Sequence, residues 1–396
     1  MENLYSFALL LWMLLAAPFY LLRVARGRYR SSFADRLGRV RRRKIEEPAV
    51  WIHACSVGEV EAAAPIVAIV KRELPDRKII LSTVTETGQA RADVLFPQLE
   101  RRYLPYDFRF AVKRHLDEIP RLERFLIMET EIWPNLILEL TRRDVPIAIV
   151  NGRISDRAWP RYRLVARSLR PILAMIGTVA ARTELDAERF RLLGAPRVVT
   201  AGNVKFDRPA AAPPVVTPFG RFLLFGSTHP GEEEIAERVL NRLQKLFPDL
   251  RAIIAPRHIE RAAALARARG WSLRSRGWDD GAILLLDTHG ELAGLYAIAE
   301  AAFIGGSFVP VGGHNPLEAA AHGVPVAWGP HVANFRDAAS ILEGNGGWKV
   351  DGEEELIALF SRLLADPEER RLAGEKARQA VAAQRGAAER AWEAIR

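Results

Sequence analysis

Short apolar runs alternate with helical segments along most of this chain, and no other feature restricts its fold so tightly. VWIHACS (50–56), KIILSTV (78–84), RFLIMET (124–130), VPIAIVN (145–151), MIGTVAA (175–181) and RVVTAG (197–202) read as strands buried on both faces. Helical stretches lie between them: GEVEAAAPIVAIVKREL after the first, a helix from about Thr87, and another from Pro134. Strands of that kind, joined by crossover helices, indicate parallel sheet. The pattern stops in the proline-rich stretch RPAAAPPVVTPF (208–219), which reads as a linker. It then restarts with RFLLFGS (221–227), a helix over 231–246, RAIIAPR (251–257), a helix over 259–269, GAILLLD (281–287), AEAAFIGG (299–306) and VPVAWG (324–329). Residues 366–396 read as one long charged helix. The expected fold class is α/β. Two doubly wound, Rossmann-like parallel-sheet domains span 45–207 and 220–365, with ligands beyond the carboxyl ends of the strands, in the cleft between the halves.

The net charge of +9 would suit a nucleic acid if it were spread over one face. It is not. Residues 23–44 hold ten basic residues and one acid, Asp35, so this segment alone is +9 and the remainder sums to zero. It directly follows Leu4 to Leu22, 19 residues whose apolar character is interrupted only by Ser6 and Pro18. We therefore expect a membrane-anchoring helix over 1–22 and a basic juxtamembrane segment over 23–44, on the cytoplasmic side, with a helix lying in the interface as the alternative. Met1-Glu2-Asn3 lacks the basic start of a signal peptide. The expected partner of residues 1–44 is a membrane surface, not a nucleic acid. The single cysteine, Cys55, excludes an internal disulfide and reads as a small core residue.

The segment GGSFVPVGGHNPLEAAAHGVPVAWGP (305–330) carries the clearest binding signal. Gly312 and Gly313 bare the backbone, Asn315 suits an N-cap and Pro316 the first helical position. A helix start offers free N–H groups to a phosphate. Glu318, in the first turn, either accepts from a ribose hydroxyl or closes a capping box with Asn315. Gly305 and Gly306, directly after the strand AAFI, favour a nucleotide site. Three more polar groups follow strand ends: Ser227, Thr228 and His229; Arg257 and His258; and Asp287 to Glu291. All four segments converge on one rim. Arg257 presents a fork suited to phosphate or carboxylate. No D-x-D occurs, and no His or Cys pair has metal-ligand spacing, so a divalent clamp is not indicated.

In the first half, HACSVGE (53–59) crosses from strand to helix. Glu59 is placed to act as a general base, or to form an S-x-x-E capping box with Ser56. Glu129 and Glu131, in METEIWPN (128–135), end another strand in the same layer. They either join that chemistry or stabilise the helix that starts at Pro134. Lys205, in GNVKFD (202–207), either reaches a leaving phosphate or is a solvated lysine.

Read in order, these segments resemble the bacterial Kdo transferases, which attach 3-deoxy-D-manno-oct-2-ulosonic acid (Kdo) to the lipid A precursor. The matching pieces are the anchor with its basic tail, RLG (36–38), HACSVGE, YLPYD (103–107), METEIWPN, NGRIS (151–155), GNVKFD, STHPGEEE (227–234), APRH, DTHGEL, GGSFVPVGGHNPLEAAAHGVPV and WGPHVANF. The resemblance implies a GT-B glycosyltransferase with two facing domains and inversion at the sugar carbon. It implies CMP-Kdo as donor, a phosphorylated lipid A precursor as acceptor, and neither metal nor cofactor. It also implies the bacterial inner membrane, with the catalytic domains on its cytoplasmic face. By position, Glu59 is similar to the family's general base, and Glu131 and Lys205 to its transition-state stabilisers. Pro256, Arg257, His289, Gly290, Glu291, Asn315, Pro316, Leu317 and Glu318 are similar to its CMP-binding positions, with Ser227, Thr228, His229, Gly312 and Gly313 as donor-site support. Two departures bear on loop shape: Glu86 where proline is commoner, and Gly152 where alanine is commoner. The rival readings are a GT-B transferase or epimerase acting on a UDP-sugar, and a membrane-tethered binding or scaffold protein in which Glu59 and Glu131 are caps only.

Overall fold

The computed structural model describes residues 5, 30–38, 44–207, 215, 217, 220–277 and 281–396. Apart from Tyr5, the expected anchor 1–22 lies outside the described residues, as do Arg41, Arg42 and Arg43 of the basic segment and the linker 208–219 except Val215 and Thr217. Among the described residues, no helix is long and apolar enough to cross a membrane. The chain forms two compact units, one of residues 1–208 with 385–396, the other of residues 209–384.

The first unit is built on seven strands: β1 (Ala49–His53), β2 (Lys78–Thr83), β3 (Glu100–Tyr103), β4 (Leu122–Met128), β5 (Ile147–Gly152), β6 (Thr178–Ala181) and β7 (Val198–Thr200). Their order is β3-β2-β1-β4-β5-β6-β7, and every pairing is parallel. The residues of β1 alternate between two cores. Val50 and Ile52 face one, Ala49 and Trp51 the other. That alternation is the period of two expected of a strand covered on both faces. Trp51 meets Phe125 edge-on, with ring centroids 5.0 Å apart, and its indole N–H donates to Ser82 Oγ at 2.7 Å. β3 escapes an apolar-run reading because its sequence is ERRY. Its buried Arg102 is paired with Glu100 at 3.2 Å and Glu118 at 3.3 Å.

The second unit repeats the plan with β8 (Phe222–Thr228), β9 (Arg251–Pro256), β10 (Ser272–Leu273), β11 (Ile283–Leu285), β12 (Ala301–Ile304), β13 (Val326–Trp328) and β14 (Gly347–Lys349). The order is β10-β11-β9-β8-β12-β13-β14, again all parallel. In each sheet the strand order reverses beside the first strand, between β1 and β4 and between β8 and β12. Doubly wound sheets bind ligands outside such points.

Two helices differ from their sequence reading. The helix expected after β1 is two, Val57–Ala62 and Ala64–Glu73, the second carrying Pro65 in its first turn, where a missing N–H is tolerated. The expected terminal helix is also two, Pro367–Ala382 and Ala387–Ile395, parted at Gly386, whose φ of +87° only glycine adopts readily. The break sends the last helix into the first unit, where Ala387, Ala391 and Trp392 join the core of Ile66 and Val70. Both oxygens of Asp207 cap its start, accepting from Gly386 N and Ala388 N at 2.6 Å each.

Candidate active site

In the first unit, three chain crossings at the β1/β4 reversal bring charged groups together. β1 runs into Cys55 and Ser56, then into the Val57–Ala62 helix with Glu59 in its first turn. The Ser56–Glu59 pair is not the expected capping box. The Ser56 side chain caps no backbone N–H, and its hydroxyl instead donates to Glu59 Oε1 at 3.0 Å. Glu59 Oε2 accepts from the N–H of Cys55 at 2.8 Å, one residue before the cap. Glu59 is only 8% exposed. Burial, together with the charges of Glu129 and Glu131, pushes its carboxyl up to about 8. A carboxylate acting only as a cap is held below its ordinary value by the helix start.

β4 delivers the other two carboxylates. Glu129 sits in the left-handed region, with φ 58°, while its N–H still donates to Val150 O at 2.9 Å. A non-glycine residue is held so only by its surroundings. Glu131 lies beyond it, raised by burial and by Glu129. The helix that follows, Pro134–Thr141, gets no cap from Trp133. Its free N–H groups go to Asp107 of YLPYD, from Asn135 at 3.0 Å and Leu136 at 2.8 Å. That segment is in turn held by RLG, since Arg36 donates to Leu104 O at 3.0 Å and lies 4.2 Å over the Tyr106 ring. The helix-dipole role considered for Glu129 and Glu131 thus falls to Asp107. Potential ligand atoms of Cys55, Glu59 and Glu131 all lie within 4.8 Å of one another. Burial raises the Cys55 thiol, so it stays protonated beside them.

Lys205 completes the cluster. Its Nζ is 3.0 Å from Glu129 Oε1, so it is a paired rather than a solvated lysine. Its short 3₁₀ turn, Val204–Asp207, is fixed from three sides. Asn151 Oδ1 accepts from Val204 N at 3.1 Å, Asn203 Oδ1 from Lys205 N at 3.1 Å, and Asp207 clasps the terminal helix. His53 lies just before the Cys55–Glu59 segment. It is fully buried against Ser82 Oγ at 3.0 Å, and burial lowers it to about 3. A cavity of about 770 Å³ lined by Lys44, Lys71 and Lys78 opens at the opposite, amino ends of β1–β3 and contains none of these groups. Of the two sequence departures, Glu86 opens the Glu86–Leu95 helix, a position that suits an acid as well as a proline. A Cβ on Gly152 would lie 2.9 Å from Phe190, so alanine there requires the ring to move.

In the second unit the polar segments expected on one rim do follow the carboxyl ends of β8, β9, β11 and β12. Ser227 has φ 57° and interrupts the β8–β9 register. Gly305 is required by close approach, because a Cβ would lie 2.5 Å from Ser227 O. Arg257 is exposed and its N–H donates to Thr228 O at 2.9 Å. His289 and Gly290 are exposed, whereas Glu291 is tied to Arg274 at 2.7 Å and to Thr288. Burial would raise Glu291, but these partners outweigh it and hold the carboxyl low. The helix after the glycine loop is short, Leu317–Ala321. Asn315 Oδ1 accepts from Leu317 N at 3.1 Å, but the helix starts one residue later than expected, with Pro316 rather than Asn315 at the cap position. His229 Nε2 lies 2.8 Å from His314 Nε2, which requires one ring to donate and the other to accept. Burial and the nearby cations, Arg257 first, lower His314 to about 4.

The residue that organises this rim is Glu232, which the sequence reading did not single out. It is 1% exposed. Its two oxygens accept from four backbone N–H groups: His229 at 2.9 Å, Gly306 at 2.7 Å, Ser307 at 3.1 Å and Phe308 at 2.9 Å. Buried Glu233 beside it takes Thr228 Oγ1 at 3.1 Å and Arg261 at 3.0 Å. STHPGEEE was legible as a motif. Three consecutive acids at a helix start read as dipole complements, and nothing local marks two of them as buried.

Residues 31–208 match the family described as 3-Deoxy-D-manno-octulosonic-acid transferase (kdotransferase). The chain is 33% identical over 394 residues to the 3-deoxy-D-manno-octulosonic acid transferase of Haemophilus influenzae, covering 93% of this chain and 92% of that one. It is 34% identical over 376 residues to the transferase of the same name from Bordetella pertussis, covering 87% and 86%. Among solved structures, a UDP-GlcNAc 2-epimerase from Neisseria meningitidis bound to UDP-GlcNAc superposes with a TM-score of 0.62 at 12% identity, over 88% of this chain and 99% of that one. At that identity the similarity is one of fold.

Proposed function

This chain belongs to the 3-deoxy-D-manno-octulosonic acid transferase family, and from that premise we propose that it moves Kdo from CMP-Kdo to a phosphorylated lipid A precursor. It is a glycosyltransferase of lipopolysaccharide biosynthesis. The observation that carries the mechanism is the buried carboxyl of Glu59 beside the half-buried Glu129 and Glu131, with Lys205, at the strand reversal of the first unit. A sugar hydroxyl of the acceptor attacks the anomeric carbon of Kdo. The new C–O bond forms as the bond to the CMP phosphate oxygen breaks, and the hydroxyl proton passes to Glu59. With its carboxyl raised to about 8, Glu59 is a stronger base than an ordinary glutamate once ionised. The sugar carbon passes through an oxocarbenium-like state, which the negative charge at Glu131 favours. Lys205 offsets negative charge as the phosphate leaves.

Donor recognition falls to the second unit. The exposed guanidinium of Arg257 suits a phosphate. His289, Gly290, Glu291 and the Asn315–Glu318 segment are the proposed nucleotide contacts. The sequence of residues 1–44 supports a protein held at the bacterial inner membrane with both units on the cytoplasmic face, where an amphiphilic acceptor is presented. The reading is tested by incubating the full chain with CMP-Kdo and the precursor and weighing the product by mass spectrometry. The expected result is release of CMP and a glycolipid heavier by one or more Kdo residues. Turnover of a UDP-sugar in place of CMP-Kdo overturns it.

A further inference from the structure

The second unit buries a tyrosine whose hydroxyl has no partner in the fold. Tyr296 ends the helix Leu292–Tyr296, which starts from Glu291 of DTHGEL, and is 2% exposed. A buried tyrosine ordinarily finds a hydrogen bond for its hydroxyl. Among the described residues, none bonds to that of Tyr296, and the oxygen is not one of the enclosed unpartnered atoms. The small opening of this residue therefore lies at the oxygen. A glycine sets where that oxygen stands. A Cβ on Gly226 would collide with Tyr296 Oη and lie 3.0 Å from Cζ, so the ring reaches β8 only because residue 226 has no side chain. Gly226 is the last rung shared by β8 and β12: it pairs with Ile304, and its carbonyl accepts from Gly305 N at 2.8 Å. The order of the second sheet reverses between these two strands. The hydroxyl thus stands at the point outside which a doubly wound sheet binds its ligand.

The neighbours narrow what that ligand group is. The Leu317–Ala321 helix packs against the Leu292–Tyr296 helix and carries Glu318. Burial first, and then the charge of Glu318, raise the Tyr296 phenol, so it stays protonated and keeps a hydrogen to donate. The group it meets must accept from a phenol while lying beside a carboxylate. A phosphate oxygen accepts, but its charge is repelled by Glu318, and the cation suited to it, Arg257, follows a different strand, β9. An apolar group leaves the phenol unsatisfied. A sugar hydroxyl meets both demands, because it can accept from Tyr296 and donate to Glu318. Resting on the CMP-Kdo reading above, we propose that Tyr296 is a specificity-determining donor contact whose hydroxyl bonds a ribose hydroxyl of the nucleotide. The second unit thereby selects ribonucleotides over their deoxy counterparts. Gly226 acquires a role in the same contact, as the gap in the strand through which the phenol reaches the ligand.

The full chain is titrated calorimetrically with CMP, 2′-deoxy-CMP and 3′-deoxy-CMP, as wild type and as Tyr296→Phe, which removes one oxygen and leaves the ring in place. Wild type should bind at least one of the deoxy analogues roughly 3- to 10-fold more weakly than CMP, the loss expected for one hydrogen bond. In Tyr296→Phe, CMP should bind more weakly by a similar factor, and the ratio between CMP and that analogue should fall toward one. The melting temperature without nucleotide should not drop, because the hydroxyl removed has no partner in the fold. Equal ratios in wild type and variant for both analogues overturn the proposal and leave the phenol facing water or the transferred sugar. A lower melting temperature with unchanged ratios overturns it as well and makes Tyr296 a structural residue. Wild type that binds no CMP overturns the donor reading and this contact with it, whereas CMP binding with unmoved ratios removes the contact alone.

Discussion

The two units share one sheet order and load its strand reversal with opposite chemistry. Past β1 and β4 the first unit sets a buried Glu59 beside half-buried Glu129 and Glu131, with Lys205 paired to Glu129. Past β8, β9, β11 and β12 the second carries Arg257 and four histidines, His229, His258, His289 and His314, and spends its buried acids, Glu232 and Glu233, on holding loops in place. The first arrangement raises a carboxyl toward neutral pH, which is what proton transfer needs. The second leaves the Arg257 guanidinium facing outward, which is what a phosphate needs. On the proposed mechanism, the same backbone position serves as base or as anion site according to which charges are desolvated.

The sharpest way to break this contrast is Glu59→Gln. A lost general base should lower turnover by roughly 10²–10⁴ with donor affinity unchanged. The same variant reads out the buried charge. Because the folded carboxyl is raised from 4.5 to about 8, its protonated form stabilises the fold fully below pH 4.5, and that stability is lost as pH climbs through about 8. Wild type should therefore lose melting temperature across that window relative to Glu59→Gln. The opposite slope would mark a cap, and near-normal kcat would remove Glu59 as the base.

On the other side of the contrast, Glu232→Ala strands four backbone donors, and denaturant unfolding should show a loss of roughly 3 kcal/mol or more. A stability within about 0.5 kcal/mol of wild type would mean that the loops hold without it. Arg257→Ala should weaken CMP binding by roughly 10- to 100-fold in a titration, as expected for losing a charge-assisted hydrogen bond of about 1.5–3 kcal/mol, while melting is unaffected. Equal CMP affinity would move the anion site elsewhere. Glu129→Gln probes the coupling within the first unit. With one negative neighbour gone, Glu59 should ionise at lower pH, so the rising limb of kcat should move to lower pH. An unmoved limb would uncouple the two carboxylates. The smallest effect expected is that of EDTA. Turnover should persist, and strict dependence on an added divalent ion would make Cys55, Glu59 and Glu131 the ligands to test.

Much of this was legible before any coordinates. The apolar runs located most of the strands, because a doubly covered parallel strand cannot hide its composition. Glu59, Glu131, Arg257 and the glycine loop stood out because they follow strand ends. β3 was missed because an edge strand tolerates ERRY when Arg102 finds partners. The terminal helix was read as one because the pattern of 366–396 does not reveal that Gly386 turns it into the other unit.

By itself, the sequence determined the alternation, the two halves and the residues at their strand ends, all of which depend on neighbours a few positions away. The tertiary structure alone decided that Lys205 pairs with Glu129, 76 residues distant, and that Asp207 anchors the last helix. It also decided that Asp107 rather than Glu131 caps the Pro134–Thr141 helix, and that Glu59 is raised instead of lowered. Spacing fixes which groups are available. Desolvation and hydrogen bonding depend on what the rest of the chain packs around them, and those terms set whether a glutamate at a helix start is a cap or a base.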